Sequence, residues 1–171
     1  MNNRMAHVVP RLSTERLFLR GYRRADFEAF AAHLADPVSA AHLGLSDRES
    51  SWRRFCSHAG MWLIDGAGWW SVELRATGQL VGNVGAFFRE SATTVEIGWN
   101  TYRDFWGHGY ASEAAGAALS WAFDMRAEPR ARALIASGNA SSVRVATRLG
   151  FVRDGQMVSH GKPVDVYTLI R

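Results

Sequence analysis

WGHGYASEAAGAALSWAFD, residues 106–124, joins a glycine-bearing turn to a stretch with helical periodicity. Apolar residues recur in its second part at spacings of three and four, which is the period of a helix with one buried face. Because most of them are alanine, the helix must lie close to its neighbour. The residues of this face are Ala111, Ala114, Ala115, Ala118, Leu119, Ala122 and Phe123.

The turn before this helix predicts an anion-binding site. Gly107 and Gly109 can adopt positive φ and leave successive N–H groups uncovered by side chains. The first N–H groups of a helix lack intrahelical partners and lie at the positive end of its dipole. Phosphate is a frequent ligand of such an arrangement. The alternative interpretation is an ordinary helix N-terminus that binds no ligand. Other features of the sequence are needed to distinguish the two.

Length and composition describe an ordinary globular protein. The chain has 171 residues, and we expect one domain over residues 1–171. Its 47% hydrophobic and 21% charged residues are not those of a disordered or fibrous protein. Cys56 is the single cysteine, which excludes an internal disulfide and a cysteine metal cluster, and we expect it in the core. The histidines show no metal-binding spacing, so no metal site is predicted.

Charge and hydropathy bear on location and partners. The first 16 residues lack the apolar segment of a secretion signal, and no apolar run approaches the ~20 residues of a membrane helix. We therefore expect a soluble, cytoplasmic protein. The net charge of +4 comes mostly from arginine, which suits phosphate recognition. Because the arginines are scattered, a nucleic-acid-binding domain is the less favoured interpretation.

The remaining patterns predict a mixed α/β domain with the order β-α-α-β-β-β-α-β-α-β-β. Gly82 and Gly85 in the third strand indicate a bulge or a close approach by another group. In the second helix, Trp52, Phe55 and Cys56 are predicted to face inward. The predicted strands cover residues 14–20, 69–75, 79–88, 94–100 and 132–136, with two more in residues 151–171, and the helices cover residues 23–37, 49–57, 106–124 and 141–149.

Four segments together resemble the GNAT superfamily of acetyl-CoA-dependent N-acetyltransferases. They are TERLFLR (14–20), EIGW (96–99), WGHGYASEA (106–114) and NASSVRVATRLGF (139–151). The resemblance covers nearly the whole chain. More narrowly, the chain is similar to the branch of the ribosomal-protein N-terminal alanine acetyltransferases. It implies the GNAT fold, a largely antiparallel central sheet with splayed strands 4 and 5, flanked by helices. It also implies acetyl-CoA as the co-substrate.

The resemblance also assigns the cofactor contacts. The turn amides are expected to bind the diphosphate of coenzyme A, although Trp106 replaces an Arg or Gln frequent in the family and a charged contact is lost there. The backbone around Gly98 is expected to pair with the pantetheine arm and to direct an N–H at the developing oxyanion. The implied contacts come from Ile97, Gly98, Trp99, Trp106, Gly107, His108, Gly109, Tyr110, Ala111, Ser112, Asn139, Ser142 and Arg148.

The catalytic residues follow from the same resemblance. Related enzymes use a Glu at the position of Glu96 as the base that deprotonates the attacking amine, and Asp165 is the second candidate. At pH 7 deprotonation costs ~4.6 kcal/mol for a lysine-type amine and ~1.1 kcal/mol for an α-amine. The base therefore matters less for an N-terminus. Ala146 replaces the Tyr that protonates the thiolate in many members, which leaves Ser142 as a candidate acid, or no acid. Either Ser141 or Ser142 is expected to cap the helix that follows.

These features predict an N-acetyltransferase in which the amine attacks the thioester directly within a ternary complex. The preferred acceptor is a protein or peptide N-terminal α-amine; a small-molecule amine or antibiotic is the alternative acceptor, and a non-catalytic acyl-CoA-binding module is the alternative function. We expect no membrane partner and no specific nucleic acid, and a homodimer is left open. Trp62, Trp69 and Trp70 flank the acceptor entrance of related enzymes and belong either to the core or to the recognition surface.

Overall fold

The computed structural model describes residues 9–171 as one eight-stranded sheet with four α-helices. The strands follow the spatial order β1-β2-β3-β4-β5-β6-β8-β7. The mixed α/β order predicted from the sequence is confirmed, with one additional short strand at the start. The strands are Leu12–Ser13 (β1), Leu17–Arg20 (β2), Gly68–Leu74 (β3), Leu80–Phe87 (β4), Val95–Thr101 (β5), Arg130–Ala136 (β6), Val152–Ser159 (β7) and Lys162–Ile170 (β8), and the helices are Phe27–Ala35 (α1), Arg48–Asp65 (α2), Tyr110–Ser120 (α3) and Ala140–Arg148 (α4).

Helix α3 has the alanine face that its sequence predicts. Ala114, Ala115 and Ala118 are buried in the main core, where the helix contacts β4 and β5. Small side chains let the helix axis lie close to the sheet, so these methyl groups fill the interface. A π-helical turn, Trp121–Met125, continues the helix to the predicted end of the segment.

Helix α2 is longer than predicted, and one inward-facing assignment was wrong. Asp47 caps its first turn by accepting a hydrogen bond from the Ser50 amide, and Gly66 ends it in the left-handed conformation. Phe55 is buried with the side chains of α1, as predicted. Cys56 is exposed instead of buried, because Phe55 occupies the inward position at this point of the helix.

Strands β5 and β6 form the one parallel pair of the described sheet, and this pair is short. Its register contains Val95 opposite Ala131 and Glu96 opposite Arg132. Beyond these residues the two strands diverge, while each keeps an antiparallel partner on its other side. They are the fourth and fifth strands of the predicted fold, because the short β1 precedes the predicted first strand. The expected splayed pair is therefore confirmed.

Both interpretations of the glycines in β4 hold. The register between β3 and β4 shifts opposite Val72 and Glu73, which is a bulge. A Cβ atom on Gly82 would lie 2.1 Å from the Asn100 carbonyl oxygen, and one on Gly85 would lie 2.7 Å from the Trp69 ring. Glycine is therefore required by close approach at both positions.

We expect Gly82→Ala to lower the free energy of unfolding by about 2–4 kcal/mol, because the added methyl group meets backbone of β5 that cannot move away. Urea denaturation measures the change. Gly60→Ala is the matched control: nothing lies within 4 Å of a Cβ there, and the helix interior favours Ala by roughly 0.5–1 kcal/mol. A Gly82→Ala protein as stable as the wild type would contradict the close approach of β4 and β5.

Candidate active site

The cleft between β5 and β6 begins where their pairing ends. From Ile97 to Thr101, β5 is paired with β4 on one side and has no strand partner toward β6 in the described sheet. The Ile97 side chain is buried, whereas Gly98 and Trp99 are half-buried. A free strand edge offers backbone N–H and C=O groups to an extended ligand. The predicted position of the pantetheine arm therefore has the backbone groups that it needs.

The phosphate turn, which we define as residues 106–112, lies at the end of this edge. Gly107 and Gly109 have φ angles of 79° and 80°, so both use the left-handed conformation that glycine permits. Residues 106–109 are exposed, and nothing lies within 4 Å of a Cβ on Gly107. Gly109 is the N-cap of α3 and has no side chain to cap the first turn. The amides at the start of α3 are thus uncapped by side chains.

Arg16 and Glu113 fix the phosphate turn, and the sequence did not reveal this role. Glu113 accepts hydrogen bonds from the Thr14 hydroxyl, from the Arg16 amide at 2.9 Å and from Arg16 Nε at 2.7 Å. Arg16 Nη1 donates to the His108 carbonyl oxygen at 3.0 Å. The Arg16 guanidinium also lies over the Tyr110 ring. The partners are almost 100 residues apart in sequence, and no spacing rule connects them.

Arg16 also places a positive charge beside the turn. Its Nη2 atom lies 3.6 Å from the position of a Cβ on Gly109, and 45% of its side chain is exposed. Trp106 supplies no charge there; its indole N–H donates to the Thr101 carbonyl oxygen at 2.7 Å. The charge of the Arg16 guanidinium is paired, because the same Nη2 atom lies 2.6 Å from Glu113 Oε2.

Glu96 lies at the point where β5 and β6 separate. Its residue is 4% exposed, and both carboxylate oxygens accept hydrogen bonds from Arg89 at 2.7 Å. Arg132 Nε lies 3.5 Å from the same carboxylate. The hydrogen bond to Glu96 raises the pKa of Arg89. Its role as the base stays a prediction, but the carboxylate has two guanidinium partners that the sequence did not indicate.

Asp165, the second predicted base, lies elsewhere in the sheet. It is a residue of β8, and β6 separates it from the free edge of β5. Its carboxylate accepts hydrogen bonds from Arg153 at 2.6 Å and Gln156 at 2.9 Å. The bond from Arg153 is the main cause that lowers the pKa of this carboxyl group. The structure therefore does not bring Asp165 together with the other predicted residues.

The loop after β6 carries the remaining predicted contacts. Asn139 caps α4 because its Oδ1 accepts from the Ser142 amide at 3.1 Å and from the Ser141 hydroxyl at 2.8 Å. The expectation that one of these serines is the cap was wrong, since their shared partner Asn139 takes that role. Ser142 is half-buried in the first turn, and Arg148 is exposed in the last turn of α4. Since β5 and β6 are parallel, this loop and the phosphate turn lie at the same end of the cleft.

The tryptophans near the predicted acceptor entrance divide between two faces. Trp62 and Trp70 belong to the main core, where both contact Trp121. Trp69 lies on the opposite face of the sheet, over Gly98. His58 of α2 stacks on Trp69 with ring centroids 4.3 Å apart. Trp69 is therefore the one of the three predicted tryptophans that lies beside the free edge of β5.

His58, Tyr22 and Tyr102 add neutral polar groups to this face. His58 Nδ1 lies 3.1 Å from the Tyr22 hydroxyl. Burial lowers the pKa of His58 to about 3, so the ring is neutral at pH 7. Burial also raises the pKa of Tyr22 and of Tyr102, so both stay protonated.

Two further features are absent from residues 9–171. No cluster of three or more His, Cys, Asp or Glu side chains in this part of the chain is arranged to hold a metal ion. None of its helices combines the length and the apolar character needed to cross a membrane.

The comparisons with known proteins concern the family and the fold. An acetyltransferase (GNAT) domain model matches residues 16–152. The uncharacterized N-acetyltransferase YoaA of Bacillus subtilis is 27% identical, with 96% of this chain and 98% of that protein covered. The uncharacterized protein YkkB of the same species is 38% identical over 104 residues, which are 60% of each chain.

Solved structures give the same fold. An acetyltransferase from Agrobacterium tumefaciens is 31% identical, with a TM-score of 0.88 and full coverage of both chains. A ribosomal L7/L12 α-N-protein acetyltransferase in complex with coenzyme A is 16% identical, with a TM-score of 0.78 and coverage of 94% of this chain and 98% of that chain. At this lower identity the similarity is one of fold.

Proposed function

This chain belongs to the GNAT acetyltransferase family, and on that premise we propose that it acetylates the α-amino group of a protein or peptide, with acetyl-CoA bound in the cleft between β5 and β6. One observation carries the cofactor site: the free edge of β5 leads directly into a turn with uncapped amides. An extended arm and a diphosphate are the two parts of coenzyme A that such a site fits. The neighbour solved with coenzyme A has the same fold, which supports the proposal.

The residues present fit the cofactor without further groups. The amides from His108 to Ser112 would bind the diphosphate, and the Arg16 guanidinium, which is paired with Glu113, lies beside them. The dipole of α3 contributes only ~1 kcal/mol to the free energy of anion binding, so the hydrogen bonds must supply most of it. The backbone from Ile97 to Trp99 would hold the pantetheine arm. Bound acetyl-CoA supplies the activated acetyl group, and the chain positions it.

The reaction needs a neutral amine beside the thioester. The amine lone pair attacks the carbonyl carbon, the C–S bond breaks, and coenzyme A leaves as the thiolate. A backbone N–H of β5 directed at the carbonyl oxygen would stabilise the negative charge that develops there. The amine proton passes to solvent or to a base.

The surroundings of Glu96 favour an α-amine as the acceptor. Arg89 binds both carboxylate oxygens and Arg132 Nε lies 3.5 Å away, so the Glu96 carboxylate is held in ion pairs instead of being free to turn toward an amine. An α-amine costs ~1.1 kcal/mol to deprotonate at pH 7 and can react without such a base. A lysine-type amine, at ~4.6 kcal/mol, depends on one.

The proposed activity is tested by release of free thiol from acetyl-CoA. We expect turnover with peptides that have a free α-amine, and none with the same peptides when the α-amine is formylated and a lysine is the remaining amine. Thiol release and mass spectrometry of the product locate the acetyl group. Acetylation of the lysine alone would contradict the proposed acceptor, and no turnover with any amine would contradict the activity.

The role of Glu96 is tested by the Glu96→Gln substitution. Gln keeps the size of the side chain but cannot hold Arg89 and Arg132 by charge. If Glu96 positions β5 against β6, kcat/KM falls by about tenfold at every pH and the KM for acetyl-CoA rises. The pH-rate profile from pH 6 to 9 measures this. A loss of kcat/KM that grows steadily as the pH falls below the pKa of the amine would instead identify Glu96 as the base.

A further inference from the structure

Trp69 covers the part of β5 where the proposed function places the thioester. A Cβ on Gly98 would lie 2.7 Å from Cη2 of Trp69, and one on Gly85 would lie 2.7 Å from Cδ2 of the same indole. Phe87 and His58 flank the ring at centroid distances of 5.2 and 4.3 Å. These contacts fix the indole beside Gly98, so it borders the space next to the acetyl group.

Trp69 is only 7% exposed, and its buried indole N–H has no hydrogen-bond partner. Other tryptophans of the chain differ. The indole N–H groups of Trp62 and Trp70 each donate to a backbone carbonyl oxygen at 2.8 Å. A buried donor without a partner costs stability, and such donors are rare in folded proteins. An unpartnered donor in the active site indicates that a bound ligand supplies the missing hydrogen-bond acceptor.

Asn83 presents a second donor on the same face. It is 3% exposed, and its Oδ1 accepts a hydrogen bond from Asn100 at 2.8 Å, while its Nδ2 has no partner with hydrogen-bond geometry, although it is close enough to the Tyr102 hydroxyl to oppose the rise in the pKa of that group. Asn83 lies two residues before Gly85 on β4, and Gly85 is the residue that pairs with Trp69. Alternate residues of a strand share a face, so both donors belong to the same face of the sheet.

The carboxylates of this side are all engaged by arginine. Asp26 and Glu73 both bind Arg20, Arg23 Nη1 lies 3.8 Å from Glu73 as a second cation, and Glu96 binds Arg89. A polyamine would need free negative charge, and these three groups do not provide it. The unsatisfied groups at this place are N–H donors, which match carbonyl oxygens.

We infer that Trp69 Nε1 and Asn83 Nδ2 select an acceptor that carries a carbonyl group next to its amine, as the first residue of a peptide does. This inference rests on the proposed acetyl transfer, because it uses the position assigned to the thioester. It assigns specificity to side chains on β3 and β4, whereas the cofactor contacts come from β5 and the phosphate turn. Trp69 and Asn83 are the specificity-determining residues for the acceptor.

Trp69→Phe tests the inference because it removes the N–H and keeps an aromatic ring over Gly98. Alaninamide and isopropylamine are the probes, assayed at pH 9, where about 4% of an alkylamine is neutral: they share the amine-bearing carbon and one methyl group and differ by the carboxamide. We expect the ratio of kcat/KM for alaninamide to kcat/KM for isopropylamine to fall about tenfold in the variant, because only alaninamide loses a hydrogen bond. Comparing variant with wild type for each amine removes the effect of their different pKa values. Trp70→Phe, which removes a satisfied N–H in the core, should leave the preference between the two amines unchanged.

An NMR measurement gives a readout that does not need turnover. The indole 1H–15N signal that is missing from Trp69→Phe belongs to Trp69. With coenzyme A bound, this signal should move when an alanine-terminal peptide is added and stay when isopropylamine is added. Equal losses of kcat/KM for both amines in Trp69→Phe, or a Trp69 indole signal that does not move when the peptide is added, would overturn the inference. If no amine is acetylated, the proposed function fails, and the indole signal alone decides the inference.

Discussion

The separation of β5 and β6 after two residue pairs is the constraint on which the site depends. A continued parallel pair would use the backbone groups of residues 97–101 within the sheet and leave none for a ligand. The last pair, Glu96 and Arg132, joins the strands through side chains as well, and Arg89 adds two hydrogen bonds to the same carboxylate. The ion pairs close the sheet at one end of the cleft, and the strands part beyond them.

A second set of contacts holds the phosphate turn in place. Glu113 lies in the first turn of α3, where a carboxylate is stabilised by the helix dipole, and it binds Thr14 and Arg16 of the segment before β2. That segment and the turn are therefore one structural unit, although they are far apart in sequence. The Arg16 guanidinium, paired with Glu113, lies beside a turn in which Trp106 donates a hydrogen bond to Thr101.

The sequence predicted the features that depend on periodicity and glycine, and it missed those that depend on partners brought together by the fold. The alanine face of α3, the order of the elements and the close approach at Gly82 follow from local patterns. Helix α2 was predicted too short because its second half contains Gly60 and two exposed apolar residues, Leu63 and Ile64, which break the helical pattern. The ion pair of Glu96 and the unpartnered indole N–H of Trp69 depend on neighbouring strands, so no spacing within one segment predicts them.

The central claim is that the exposed amides of the phosphate turn bind the diphosphate of coenzyme A. Calorimetry of coenzyme A binding to Gly109→Asp and Gly109→Asn tests it most directly, since both side chains tolerate the left-handed backbone and differ chiefly in charge. The account predicts that Asp lowers the affinity at least tenfold more than Asn does, because a carboxylate would face the phosphates. Equal affinities for the two variants would contradict it.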